Sequence, residues 1–137
     1  MQKKNVLFVS LSTIAIAGCT TMESIQSGDP SYVVSYTGAD RNDLRSCAQA
    51  KFDEKSAYSF YAKEVGEYSV IEAYAEGALA LPGGSVTETG VPYFATRFYS
   101  DRVEIYGRYS ISGDYGKGFV PYIKECVAEL GGEYSDG

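Results

Sequence analysis

The 137-residue sequence contains no histidine and no tryptophan. Histidine is the side chain whose ordinary pKa lies nearest to neutral pH. Its absence excludes serine–histidine and cysteine–histidine catalytic arrangements and histidine-containing zinc sites. Two carboxylate pairs with helical spacing remain, Asp40 with Asp43 and Glu125 with Glu129, and we interpret both as solvated helix faces. The sequence therefore predicts a protein that is not an enzyme and has no catalytic residue, cofactor or bound metal.

Long apolar runs are also scarce. The N-terminal apolar segment, residues 6–17, spans roughly 18 Å at about 1.5 Å per residue, which is well short of the ~30 Å hydrocarbon core of a membrane. Lys3 and Lys4 precede it, and small residues follow it. This order predicts a signal peptide over residues 1–18 that is removed from the mature protein.

Residues 16–19 read Ile-Ala-Gly-Cys, directly after that apolar segment. They resemble the lipobox of bacterial prolipoproteins, which implies cleavage before Cys19 and attachment of acyl chains, palmitate among them, to that residue. Thr20 follows, and the resemblance then implies the outer membrane, because an Asp at this position favours the inner one. An alternative stays open, since Ala15 and Ala17 form an A-x-A site that an ordinary signal peptidase would cut, leaving Cys19 unmodified.

The other two cysteines are Cys47 and Cys126. If Cys19 is acylated, an even pair remains in an oxidising periplasm, which predicts a disulfide between them. The alternative is two buried reduced thiols. One cysteine on an early helix and one on the last also gives a loose resemblance to small, uncharacterised proteobacterial lipoproteins, which implies no particular activity.

Ten basic and 18 acidic residues remain once Lys3 and Lys4 are removed with the signal peptide, giving a mature net charge of −8. This charge repels nucleic acid and favours cationic partners, or it serves only solubility. Residues 19–30 contain Ser, Gly, Asp and Pro without apolar periodicity, and we interpret them as the acylated cysteine and a tether. Residues 31–137 then form a single periplasmic domain.

Within that domain, β-branched and aromatic runs alternate with two amphipathic helices. The order β-α-β-β-β-α predicts an α+β fold, an antiparallel sheet of about four strands with two helices packed on one face. The helices are expected over residues 40–55 and 119–130, and each carries one cysteine on its buried face. Residues 58–65 fit either a strand or a helical extension, and the acidic tail 132–137 is expected to be frayed.

Residues 93–112 form the clearest hairpin, turning at Ser100-Asp101 with a register in which paired residue numbers sum to 201. One face of this hairpin is expected to lie in the core. The other face is expected to be exposed to solvent and rich in tyrosine and arginine. These residue types are enriched at binding hot spots. The predicted partner-binding residues are Tyr93, Arg97, Tyr99, Arg102, Tyr106 and Arg108.

Together these features predict a lipid-anchored cell-envelope lipoprotein with a non-enzymatic structural or partner-binding role. Its partners would be the membrane, through the acyl chains on Cys19, and a cationic protein, but not nucleic acid. The alternative is a periplasmic inhibitor or immunity lipoprotein that captures a cationic hydrolase. The acidic charge and the tyrosine-rich hairpin motivate this second interpretation.

Overall fold

The computed structural model describes residues 21–75, 79–80, 86–87, 90–107, 109–110, 113–114 and 116–136. The predicted signal peptide, Cys19 and Arg108 lie outside these ranges. The helices are α1 (Met22–Gln26), α2 (Arg41–Lys55) and α3 (Val120–Glu129), with a 3-10 turn at Lys117–Phe119 before α3. The strands are β1 (Tyr32–Thr37), β2 (Ser59–Glu64), β3 (Ser69–Ala75), β4 (Leu79–Ala80), β5 (Val86–Thr87), β6 (Val91–Phe98), β7 (Arg102–Gly107), β8 (Tyr109–Ser110), β9 (Gly113–Asp114) and β10 (Glu133–Asp136).

Six of these strands form one antiparallel sheet in the order β10-β1-β7-β6-β3-β2, and the remaining four form two short hairpins. The predicted register of the β6–β7 hairpin is confirmed, because Thr96 lies opposite Ile105 and Phe98 lies opposite Val103. Among the described residues only glycines have a positive φ. The turn at Ser100-Asp101 is therefore not of type I′, which requires a positive φ at both central positions.

Helices α2 and α3 pack side by side on one face of the sheet, as the sequence predicts. Leu44, Ala48 and Phe52 of α2 are buried, as are Val120, Ile123, Cys126 and Val127 of α3. The Phe119 ring lies 4.9 Å from that of Phe52 and 4.6 Å from that of Phe94. Aromatic contacts of this kind join α2 and the turn that precedes α3 to the central strand β6. The α+β class is confirmed.

The two helices are also joined covalently. Cys47 Sγ on α2 and Cys126 Sγ on α3 lie at disulfide distance, 2.12 Å apart, with Cα atoms separated by 5.8 Å. Cys126 is fully buried, whereas Cys47 is only partly buried. The expectation that both cysteines are on buried faces therefore holds fully for Cys126 alone.

The sheet has six strands where about four are expected, and the domain has a third helix, α1. Strand β10 and helix α1 both correct the sequence interpretation. Residues 133–136, expected to be frayed, pair with β1 as an edge strand. Gly131 ends α3 with φ +80°, and a Cβ on Gly132 would lie 2.5 Å from the Thr37 carbonyl oxygen. The chain can turn back against β1 only because these two positions are glycine.

The second correction concerns the segment interpreted as a tether. Residues 22–26 form α1, which packs on the opposite side of the sheet from α2 and α3. Thr21 caps it, because its hydroxyl accepts a hydrogen bond from the Ser24 amide while Ser24 Oγ accepts one from the Thr21 amide. Residues 58–65 fit either a strand or a helical extension on sequence grounds, and the structure shows that Ser59–Glu64 form the edge strand β2. Within the described ranges, no helix has the length and apolar character needed to span a bilayer.

Candidate functional site

The face of the sheet opposite α2 and α3 is called here the outer face, and it carries the arginines and tyrosines predicted for partner binding that the structure brings together. Helix α1 covers its centre, where Met22 is 7% exposed and clusters with Val70, Ala95 and Tyr106. Strand alternation places Arg97 on this face beside Ala95. The outer face is thus a small second hydrophobic cluster surrounded by charged and aromatic side chains.

The structure brings together four of the six residues that the sequence predicts for partner binding. Arg97, Tyr99, Arg102 and Tyr106 lie close to one another on the outer face. The sequence predicts that Tyr106 is exposed to solvent, but the structure shows it buried. Helix α1 packs against this part of the sheet and leaves Tyr106 only 5% exposed. Arg108 lies outside the described residues.

Tyr93 does not belong to this group. The pairing of β3 with β6 shifts at this point, since Ala73 pairs with Phe94 but Tyr74 pairs with Pro92. A bulge of this kind breaks the alternation of side chains. Tyr93 consequently packs against the main core, with its ring 5.2 Å from that of Tyr58. The prediction that Tyr93 lies on the wet face is wrong for this reason.

Arg97 is the centre of the outer face. Its guanidinium carbon lies 4.5 Å from the centroid of the Tyr68 ring and 4.7 Å from that of Tyr106. Arg97 Nε donates a hydrogen bond of 3.0 Å to Gln26 Oε1. Within the part of the chain that the structure describes, no carboxylate oxygen lies within 4.0 Å of this guanidinium. Aromatic rings and an amide therefore stabilise the cation, and its charge is not neutralised.

Arg97 faces Glu104 across the β6–β7 ladder, as predicted, but Glu104 binds other partners. Its carboxylate accepts hydrogen bonds from Arg102 Nε at 3.1 Å and from Tyr106 Oη at 2.7 Å. Burial, with help from that bond to Glu104, raises the pKa of the Tyr106 hydroxyl well above its usual value. Tyr106 therefore stays protonated as a donor. Arg102 also stacks on the Tyr99 ring at 4.0 Å.

An open groove of about 330 Å³ runs between α1 and the β2 edge of the outer face. Glu72 lies at its base with its side chain 7% exposed, and Lys63 Nζ lies 2.8 Å from Glu72 Oε1. Glu72 Oε2 accepts a 3.0 Å hydrogen bond from Gln26 Nε2. The hydrogen bond to Glu72 raises the pKa of the Lys63 ammonium. Glu23, Tyr68 and Arg97 also line the groove.

Sequence reasoning missed Met22, Gln26, Lys63 and Glu72. A weak signal existed for α1, because Thr21 and Ser24 have the spacing of a reciprocal cap. For Glu72, strand alternation alone puts it on the same face as Val70 and Tyr74. Nothing in the sequence pairs that face with a helix formed by residues 22–26.

Three of the four carboxylates named from the sequence have partners within the fold. Asp40 caps α2 by accepting hydrogen bonds from the amides of Asn42 and Asp43. Glu125 and Glu129 both contact Lys51 Nζ, at 3.5 and 2.9 Å, and so join α3 to α2. Asp40, Glu125 and Glu129 therefore contribute to the fold, the first as a helix cap and the other two as ion-pair partners between helices.

One cluster has the composition of a metal site. Ligand atoms of Cys47, Cys126 and Glu129 lie within 4.8 Å of one another. Metals bind thiolate sulfur, and these two sulfurs are bonded to each other. The cluster therefore has one carboxylate to offer, too few ligands for a structural metal.

Comparison with known proteins found no match to a family model, to a curated protein or to a solved structure.

Proposed function

We propose that this protein is a lipid-anchored lipoprotein of the bacterial cell envelope, held at the outer membrane by acyl chains on Cys19 and exposed to the periplasm. Its role is non-enzymatic, as a structural component or a partner-binding module. The observation that carries the proposal is the Cys47–Cys126 pair at disulfide distance. With these two sulfurs joined, Cys19 is the one cysteine left over, and it stands at the acylation position of the lipobox-like sequence.

The outer face supports partner binding through its side-chain chemistry. Tyr68, Tyr99, Arg97 and Arg102 form stacked aromatic–guanidinium layers there, and tyrosine and arginine are the residues most enriched at binding hot spots. Their mutual contacts hold the rings and guanidinium groups in place before any partner arrives. Such preorganisation lowers the entropy cost of binding.

Acylation is tested by expressing the full-length precursor in cells supplied with labelled palmitate. The expected result is label on the mature protein, an N-terminal peptide that begins at Cys19 with added acyl mass, and recovery in the outer-membrane fraction. Cys19→Ser should abolish label and acyl mass. The matched control, Cys47→Ala with Cys126→Ala, should keep both. An unmodified N-terminus in the wild-type protein would overturn the proposal.

A second candidate function is favoured by the mature net charge of −8, which suits capture of a cationic periplasmic hydrolase. Binding of such an enzyme, for example of the lysozyme type, should weaken steeply as salt rises, because exposed charges are screened beyond about 10 Å at 0.1 M salt. The measurement is the dissociation constant at low and high salt. Arg102→Ala should alter the affinity if the outer face takes part, whereas Lys55→Ala on α2 is the matched control.

A further inference from the structure

We propose that the partner of the outer face is the phospholipid headgroup layer of the membrane that holds the anchor. On this view the domain rests on the bilayer with its outer face and the β2 edge toward the lipid, and with α2 and α3 away from it. The inference depends on the proposed acylation of Cys19, and it names the partner of the binding surface described above.

The connection between Cys19 and the folded domain is short. Thr21 is the N-cap of α1, and Cys19 precedes it by two residues. Two residues span at most about 7 Å, whereas a free tether of eleven residues would reach roughly 36 Å. Because α1 is docked, an acylated Cys19 holds the outer face close to the headgroups.

Helix α1 is held firmly against the sheet. Met22 is 7% exposed within a buried cluster on the outer face. At the other end of the helix, the Gln26 carboxamide accepts from Arg97 and donates to Glu72, at 3.0 Å in each case. Helix α1 is therefore held to the sheet at both of its ends, so the connection from Cys19 leads to a fixed point on the outer face.

The surface nearest to the groove carries large exposed hydrophobic side chains. Tyr61 is 57% exposed and Val65 49% exposed. Tyr61 packs at 5.7 Å against Tyr74, which belongs to the outer-face cluster. Tyrosine suits a membrane interface because its ring is apolar and its hydroxyl is wet, and lysine such as Lys63 extends its charge into the headgroups.

The groove carries charges of both signs. The groove offers Arg97, whose cation has no carboxylate within 4.0 Å among the described residues. It also offers Lys63, whose side chain is 61% exposed and whose ammonium is paired on one side with Glu72 at 2.8 Å. Glu23, exposed at the N-terminal end of α1, supplies a carboxylate at the same groove. Cations for a phosphate and a carboxylate for an ammonium fit a zwitterionic headgroup such as phosphoethanolamine.

The test uses single-tryptophan reporters, which are clean because the chain has no tryptophan of its own. Tyr61→Trp places the reporter on the outer face at β2. Tyr134→Trp is the matched control, because Tyr134 is 47% exposed on β10, five strand spacings away, and its ring contacts Lys124 of α3. Five spacings of about 4.8 Å separate the reporters by about 24 Å.

Acylated protein, verified by mass spectrometry, is placed in phosphatidylethanolamine-containing vesicles whose headgroups carry a spin-label quencher. We expect quenching of Y61W at least about twofold stronger than that of Y134W, given the ~24 Å separation. Adding Met22→Asp, which undocks α1 and lengthens the tether, should reduce Y61W quenching to the Y134W level. Equal quenching of the two reporters in the otherwise wild-type protein would overturn the inference.

A second preparation separates this inference from the proposed acylation. The processed chain from residue 19 is coupled through the Cys19 thiol to a maleimide lipid, with Cys47 and Cys126 kept as a disulfide. The same difference between the two reporters is expected. If cells do not acylate Cys19 but this preparation shows the difference, the proposed function fails and the inference about the membrane-facing surface stands. If cells acylate Cys19 but the two reporters are quenched equally, the proposed function stands and the inference about the membrane-facing surface fails.

Discussion

Gln26 Oε1 on α1 accepts a hydrogen bond of 3.0 Å from Arg97 Nε on β6. The same carboxamide donates to Glu72 on β3, so one side chain at the end of α1 spans two central strands of the sheet. Because Gln26 is neutral, it satisfies a cation and an anion at once without cancelling either charge. This arrangement fixes the N-terminal helix on the outer face and leaves the Arg97 charge available there.

We expect Met22→Ala to release α1 from the sheet. Truncating a buried methionine costs about 2–5 kcal/mol, and the lower end applies here because the helix is short and terminal. About 2 kcal/mol corresponds to a ~30-fold increase in the population of the undocked helix. Hydrogen exchange of the Ser24 and Ile25 amides, which bond to Thr21, measures this population.

The control for this variant is Glu23→Gln, on the exposed side of the same helix, which should leave both amides as protected as in the wild-type protein. Unchanged exchange in Met22→Ala would contradict the view that burial of this side chain holds the helix in place.

The parts of the fold that the sequence predicts are those with local periodicity. The apolar stripe of α2, with Leu44, Ala48 and Phe52, repeats at helical spacing and faces the core. The β6–β7 register also follows from the sequence, because the pairing in which residue numbers sum to 201 matches residue types on both faces. Short-range patterns of this kind require no knowledge of what packs against them.

The parts that it does not predict depend on tertiary contacts. A five-residue helix is unstable in isolation, and α1 exists because Met22 finds a pocket on the sheet. Residues 133–136 are exposed and polar, and they form a strand because β1 offers an unpaired edge. The orientation of Tyr93 depends on a bulge that strict alternation cannot reveal. The sequence therefore predicts the residue types of the outer face, but it does not predict that α1 covers the centre of that face.

Removing the Cys47–Cys126 disulfide should lower the free energy of unfolding by about 4.5 kcal/mol. The bond closes a loop with a sequence separation of 79, and the entropy of the unfolded chain gives that value for a loop of about 80 residues. Urea unfolding with and without reductant measures it, and the double variant Cys47→Ala with Cys126→Ala checks the assignment. Cys19→Ser should show the wild-type midpoint. A loss of stability from Cys19→Ser equal to that of the double variant would contradict the pairing.

Thr96→Val should stabilise the domain. Thr96 is fully buried on β6, and its Oγ1 has no hydrogen-bond partner among the described residues. An unpaired buried hydroxyl costs about 1–3 kcal/mol, so replacing it by a methyl group of similar shape should raise the free energy of unfolding by about 1 kcal/mol. Thr37→Val, at an exposed position on β1, should change it by less than about 0.5 kcal/mol. A destabilised Thr96→Val variant would show that the hydroxyl has a partner in solution.

The last prediction concerns pH and Tyr36, which is 3% exposed and donates a hydrogen bond to the Tyr99 carbonyl oxygen. Burial raises the pKa of Tyr36 from 10.0 to about 12. Between pH 10 and about pH 12, the folded state keeps the hydroxyl proton of Tyr36 whereas the unfolded state releases it. The resulting stability is complete below pH 10 and is lost as pH rises toward 12, with a maximum of about 2–3 kcal/mol.

Tyr36→Phe separates this effect from other alkaline titrations. It should cost about 1 kcal/mol at pH 8, because the hydrogen bond to Tyr99 is lost, yet it should lose less stability than the wild-type protein between pH 10 and pH 12. Urea unfolding at pH 8, 10 and 11.5 measures both effects. Tyr134→Phe, at an exposed ring on β10, is the matched control and should follow the wild-type curve. Parallel curves for Tyr36→Phe and the wild-type protein would mean that Tyr36 releases its proton at the same pH in the folded and unfolded states.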